Sequence, residues 1–228
     1  MSQNLLSVEG EFWDIAMSEP AVFDNGHERE AELTAMRLDL DGLRWSARSA
    51  HIEAGFATSN DVKGWRLIVT HDKLVRALRE RFCGESWERD DAENQEGIRN
   101  PALGIRIIAA NFDELAGDPD PSVMPSNLRP KGNASWRKAR CNMTGWLPGL
   151  ALPEPLHQEW QTWVFGICSD EQGLGAELSL PLEFSENRFS KLVKRIIIQS
   201  RDDGDTVAAR IPTAPLEDID IPIRRREA

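Results

Sequence analysis

From Leu174 to Phe184 the chain alternates without a break. Leu174, Ala176, Leu178, Leu180, Leu182 and Phe184 stand against Gly175, Glu177, Ser179, Pro181 and Glu183. A period of two puts all six apolar side chains on one face of a strand, which no helix can do. The chain must therefore build a sheet, and the alternation reads as one buried face and one wet face. Pro181 has no N–H for a ladder, so this strand is expected at a sheet edge, or to lose its pairing there. As an edge it would offer a docking surface through strand addition.

Trp163 to Cys168 is the expected antiparallel partner, joined through the turn Ser169–Gly173. Leu156, Trp160 and Trp163 also fit a helical stripe, which leaves the start of that partner open. Residues 191–199, 206–211 and 219–223 read as three further strands, with Asp202 to Asp205 as a turn and a frayed tail after Ile223.

In residues 33–50, Asp41-Gly42 matches the two-residue hairpin turn that tolerates positive φ at both positions. Folding there sets Leu40 opposite Leu43, Leu38 opposite Trp45 and Met36 opposite Ala47, with Asp39 facing Arg44 on the other side. A helix over 28–40 is the competing reading. Residues 65–70 then predict a strand. The stripe Leu74, Val75, Leu78 and Phe82 predicts a helix over 71–82, capped by Thr70 or Asp72 and stopped before Gly84. Residues 85–96 read as an exposed acidic loop, 105–110 as a buried strand, and 111–115 as a helical turn ended by Gly117.

The expected class is α+β, mostly antiparallel sheet built from hairpins (33–50, 163–184 and the C-terminal strands) with few short helices. Three regions follow. They are an N-terminal α+β part over 1–116, a Pro/Gly-rich loop or linker over 117–155, and a C-terminal β part over 156–228 that can join the first in one domain.

Composition narrows the function classes. A net charge of −11 argues against generic binding to nucleic acid or anionic membrane. No apolar run approaches the roughly 18 residues of a membrane span, and the first residues lack a signal-peptide pattern. The expectation is a cytoplasmic protein without membrane contact. Many Arg and Trp, few Lys and no Tyr fit a GC-rich, bacterial coding sequence. Cys83, Cys141 and Cys168 lie too far apart for a disulfide framework, and no close ligand pair announces zinc. No cofactor or metal is expected, and the sequons at Asn133 and Asn142 read as chance matches.

Catalytic signatures fail in turn. Gly173-Leu174-Gly175 lacks the third glycine and the helix of a dinucleotide loop. Gly84-Glu85-Ser86-Trp87-Glu88 has Glu where a nucleophile elbow needs glycine. His27-Glu28 lacks a zincin's second histidine. His71-Asp72 sits where strand was expected to give way to helix, a place for chemistry, yet first-turn dipole complementarity accounts for it. The acidic runs 90–91, 118–120 and 202–205 read as solvated turns before metal sites.

One feature stands above these. Residues 121–153 contain no Asp or Glu, although those types make up 38 of 228 residues. The same window holds Arg129, Lys131, Arg137, Lys138 and Arg140, with Trp136 and Trp146 interleaved. These seven are the candidate contact residues; catalytic and metal-binding residues are not assigned. Basic groups beside an aromatic suit phosphates, stacked bases or an acidic protein. The bland alternative is a segment docked on the molecule's own acidic surface.

The sequence thus predicts a non-enzymatic interaction protein, such as an adaptor, assembly subunit or regulatory factor, with a protein partner met through this segment. One rival is a nucleic-acid-contacting subunit of a nucleoprotein assembly. Another is a metal-dependent hydrolase whose carboxylates converge only in three dimensions. Mimicry of nucleic acid by the acidic body ranks below these.

Overall fold

A computed structural model describes residues 19–132 and 160–201, together with residues 135, 137, 139 and 142 between them. Among the described residues its centre is a mixed seven-stranded sheet, with three α-helices of defined bounds packed on one face. In chain order the strands are β1 (Ala21–Phe23), β2 (Glu88–Asp90), β3 (Gly97–Asn100), β4 (Ile105–Asn111), β5 (Gln161–Asp170), β6 (Gly173–Ser185) and β7 (Arg188–Gln199). The helices are α1 (Gly26–Ala35), α2 (Leu40–Ala54) and α3 (Trp65–Phe82). Across the sheet the order is β1-β7-β6-β5-β4-β3-β2. The β1–β7 and β4–β5 pairs are parallel and the other four antiparallel. The α+β class holds; the expectation of a mostly antiparallel, hairpin-built sheet is right only in part, because the sheet is mixed, with two parallel pairs.

The hairpin expected over 33–50 is two helices. Asp39 does not face a cross-strand Arg44; its carboxylate accepts the Gly42 N–H at 2.6 Å and caps α2. Leu43, Ala47, Ala50 and Ala54 then recur at helical spacing and are wholly buried. Before the cap, Arg37 takes a left-handed φ of 58°, and the Leu38 N–H reaches back to Leu33 O at 2.9 Å. That closes α1 in a Schellman-type turn with arginine where glycine is usual. Gly42 serves close helix packing: a Cβ there would lie 2.7 Å from the Phe82 ring.

The strand expected at 65–70 is the first third of α3. Its β-branched run is short, and Thr70 joins Leu74, Val75, Ala77 and Leu78 on the buried stripe. The Thr70 hydroxyl donates to Arg66 O at 2.8 Å, a helix-internal bond. The cap is therefore Gly64, with φ 85°, and neither Thr70 nor Asp72. Residues 85–96 are less exposed than expected, since they include β2, and Trp87 and Asp90 are buried. Residues 111–115 form the end of β4 and a turn, without the expected helix.

The β5–β6 hairpin matches the expected pairing, from Asp170 opposite Gly173 to Val164 opposite Ser179. Residues 191–199 lie in β7 as expected. The strands expected at 206–211 and 219–223 and the turn at 202–205 lie outside the described residues. β6, however, lies in the sheet interior between β5 and β7, so it offers no edge for strand addition. Pro181 survives there because the register shifts on both sides of it. Its carbonyl is taken by the Asn142 side chain at 2.7 Å.

The two sheet faces have different covers. Toward the helices, Ile107, Phe165, Leu178, Ile196 and Ile198 join the helical Leu33, Leu43, Leu74 and Leu78 in the main core. On the other face Ile108, Phe112, Val164, Phe189 and Leu192 form a smaller cluster with Met124 packed against it. The polar side of β6 is therefore covered, not wet. Glu177 and Ser179 are both wholly buried.

Arg195 explains how that burial is tolerated. It meets Glu177 through Nε at 3.1 Å and Nη2 at 2.7 Å, and gives its other N–H groups to the carbonyls of Asp118, Asp120 and Val123. Glu177 also accepts from Gly117 N and from the Ser179 hydroxyl. The pair pins residues 117–123 to the sheet, a satisfied network that a buried charge pair requires.

No described helix is long and apolar enough to cross a membrane.

Candidate functional site

The basic segment returns to the body through Asn127. Its amide Nδ2 donates to Arg129 O at 2.6 Å and to Asn187 O at 3.1 Å, and its Oδ1 accepts the Phe189 N–H at 3.0 Å. Backbone bonds from Leu128 to Asn111 O and from Lys131 to Asn187 O, both 2.9 Å, complete the attachment. Arg129 is thereby held beside the last residue of β4 and the N-terminal half of α3, and the Lys131 backbone beside the β6–β7 turn.

A cleft of about 450 Å³ opens at this place. Leu67, Ile68, His71, Asp72, Val75 and Arg79 line it from α3. Glu96, Asn111 and Arg129 line the rest. Arg129 is exposed at the rim, and its Nη2 would be 2.5 Å from a Cβ at residue 64. Gly64 therefore serves twice, since its φ of 85° also favours glycine.

The charges here sort into those already paired and those not. Arg79 donates to Gly97 O and Asp90 O and pairs with Asp91 at 2.5 Å. Asp72 lies 3.6 Å from the Lys73 ammonium. Among the described residues Arg129 and Lys131 form no ion pair, and neither does Glu96. Burial pushes the Lys131 ammonium below its ordinary pKa, with the Glu96 charge opposing. His71 is also lowered, first by burial and then by the Lys131 charge, against Glu96 and a hydrogen bond to the Ala109 backbone. Its imidazole is neutral at pH 7 and able to donate or accept.

Of the expected contact residues, Arg129 lines the cleft; Lys131 is not among its lining residues and acts on His71 of its wall by charge. Arg137 is separated from them in role: it donates to Glu93 from Nε at 3.0 Å and Nη2 at 2.8 Å. That cation is answered by the molecule's own carboxylate, as the self-docking alternative required. Trp136, Lys138, Arg140 and Trp146 lie outside the residues whose side chains are described.

His71 sits inside α3, past its first turn, so the dipole argument for it fails. Glu96 and Asn111 carried no sequence signal, because only the sheet brings residues 96, 111 and 129 around α3. The acidic runs at 90–91 and 118–120 are turn-forming: Asp90 accepts from Ala92 N, Asp118 from Asp120 N and Asp120 from Ser122 N. Among the described residues no three His, Cys, Asp or Glu side chains are grouped to hold a metal ion.

Compared with protein families, curated proteins and solved structures, the chain matches none.

Proposed function

We propose that this chain is a non-enzymatic interaction protein that receives an anionic group of its partner at the cleft rimmed by Arg129, with the Lys131 charge close behind its wall. The reading rests on one observation. Arg129 lines a concave site, Lys131 lies near enough to act by charge on its His71, and neither forms an ion pair among the described residues, in a molecule of net charge −11. An unanswered guanidinium costs little at an exposed rim, whereas the half-buried ammonium of Lys131 costs folding energy that a ligand charge would recover. The acidic body repels polyanions at long range, so binding is local and selective.

Fluorescence anisotropy tests this with a labelled Glu-rich peptide and a labelled single-stranded oligonucleotide, against the native chain, Arg129→Glu and Arg137→Glu. At least one probe should bind and lose about tenfold or more in affinity with Arg129→Glu, the scale of a lost charge-assisted hydrogen bond. Arg137→Glu should matter far less, because Glu93 already holds that guanidinium. Equal losses for the two variants, or no binding of either probe, would refute the assignment.

A further inference from the structure

We infer that this protein pairs with a second copy of itself, through an outward row on α2 that is complementary to its own image. Helix α2 is apolar on two opposite sides. Leu43, Ala47, Ala50 and Ala54 form its buried stripe, while Trp45, Ile52 and Phe56 recur at helical spacing on the far side. Those three side chains are 47%, 39% and 57% exposed, with the smaller Ser49 between the first two. Phe56 belongs to the row because Gly55 keeps a helical φ of −65° and ψ of −19°, and the Phe56 N–H reaches Glu53 O at 3.3 Å. On α3, Trp65 is 40% exposed and stands about two and a half turns before the buried Leu74, so it also points away from the core. Single exposed apolar residues are ordinary. A periodic row opposite a buried stripe is instead a face that lacks its cover among the described residues.

Spacing and charge together identify that cover. The intervals from Trp45 through Ser49 and Ile52 to Phe56 are four, three and four residues, the same in both directions. A two-fold axis crossing α2 between Ser49 and Ile52 therefore sets Trp45 of each copy against Phe56 of the other, and Ile52 over Ser49. Aromatic meets aromatic at both ends, and a branched side chain meets a small one in the middle. Beside the row a groove of about 200 Å³ runs between α2 and α3. Its charged lining is Glu53, Glu80, Lys73 and Arg76, two of each sign, and Arg76 donates to Glu80 at 2.8 Å. Two chains of net charge −11 repel one another overall, but a copy brought to this groove meets no surplus of its own sign. The groove and the Arg129 cleft share no lining residue, so the two surfaces stand apart on α3.

Sedimentation velocity of the full chain over about 1–100 μM tests the pairing. The native chain should pass from monomer to dimer as concentration rises. Phe56→Glu and Trp45→Arg should each raise the dissociation constant about tenfold or more, the scale of a lost aromatic anchor. Leu103→Glu adds the same charge as Phe56→Glu at another exposed apolar residue, in the turn between β3 and β4, and should leave the constant unchanged. Phe56→Glu and Trp45→Arg chains mixed in equal amounts should pair again. Their heterodimer keeps one Trp45–Phe56 junction and gains an ion pair at the other. All three positions are exposed, so each variant should keep the native circular dichroism. A monomer at every concentration would overturn the inference, and so would a dimer that Phe56→Glu weakens no more than Leu103→Glu does. A dimer that both row variants break but their mixture fails to restore would overturn the two-fold register.

Discussion

At the scale of single residues, the molecule's two kinds of charge behave differently. Arg195 uses all five N–H donors inside the protein, and Glu177 returns two of those bonds. Both side chains are wholly shielded from solvent, so removing one leaves the other uncompensated. Arg195→Met should cost about 3–5 kcal/mol in urea unfolding. Adding Glu177→Gln should cost less than the two single changes together, because the stranded charge disappears. Additive losses would mean that the pair does not act as a unit. Neither residue was legible as structural from sequence. Glu177 read as a solvent-facing position of an alternating strand, and nothing local announced a cover for that face. Arg129 and Lys131 were legible as a charge anomaly, since the absence of acids across 121–153 is visible without coordinates. Their placement beside Glu96 and Asn111 was not, because it depends on strands from distant parts of the chain.

At the scale of elements, the strong periodic segments declared themselves and the short ambiguous ones did not. The 174–184 alternation and its 163–168 partner are a hairpin, with Pro181 absorbed by a register shift. The 33–50 region misleads because its apolar residues satisfy both periods. Leu40 with Leu43, Leu38 with Trp45 and Met36 with Ala47 pair across a turn on paper, yet Leu43, Ala47, Ala50 and Ala54 also make a helical stripe. Capping decides between them: Asp39 satisfies the Gly42 N–H and starts α2. Asp39→Ala should therefore lower stability by about 1 kcal/mol. For a chain of this size that is a melting shift of about 2–4 °C, readable by circular dichroism. Asp41→Ala, which loses only a first-turn charge, should cost a few tenths of a kcal/mol. The reverse ranking would show that the cap is not what starts this helix. The 65–70 run failed for a similar reason, five β-branched or apolar residues being too few to outvote the stripe that continues into Leu74 and Leu78.

At the scale of the whole molecule, an acidic chain folds one part of its basic segment onto itself and leaves another part open. Residues 117–123 are pinned by Arg195 and Arg137 is answered by Glu93, while Arg129 at the cleft and Lys131 near it have no carboxylate in ion-pair range among the described residues. Lys131 reports on whether that charge is answered. Burial disfavours its charged form, so its pKa in the folded protein lies below the ordinary value of 10.5. Relative to the unfolded chain, Lys131 therefore opposes folding at neutral pH, and that penalty fades as pH rises through its folded pKa and above. A bound anion would favour the ammonium and raise the midpoint. The decisive measurement is an NMR titration of the Lys131 ε-methylene resonances, with and without the Glu-rich peptide. We predict a midpoint below that of the exposed lysines, moving upward when the peptide is added. A midpoint at or above the ordinary value, unchanged by the ligand but lowered by Glu96→Gln, would mean that the protein's own carboxylate already neutralises the site.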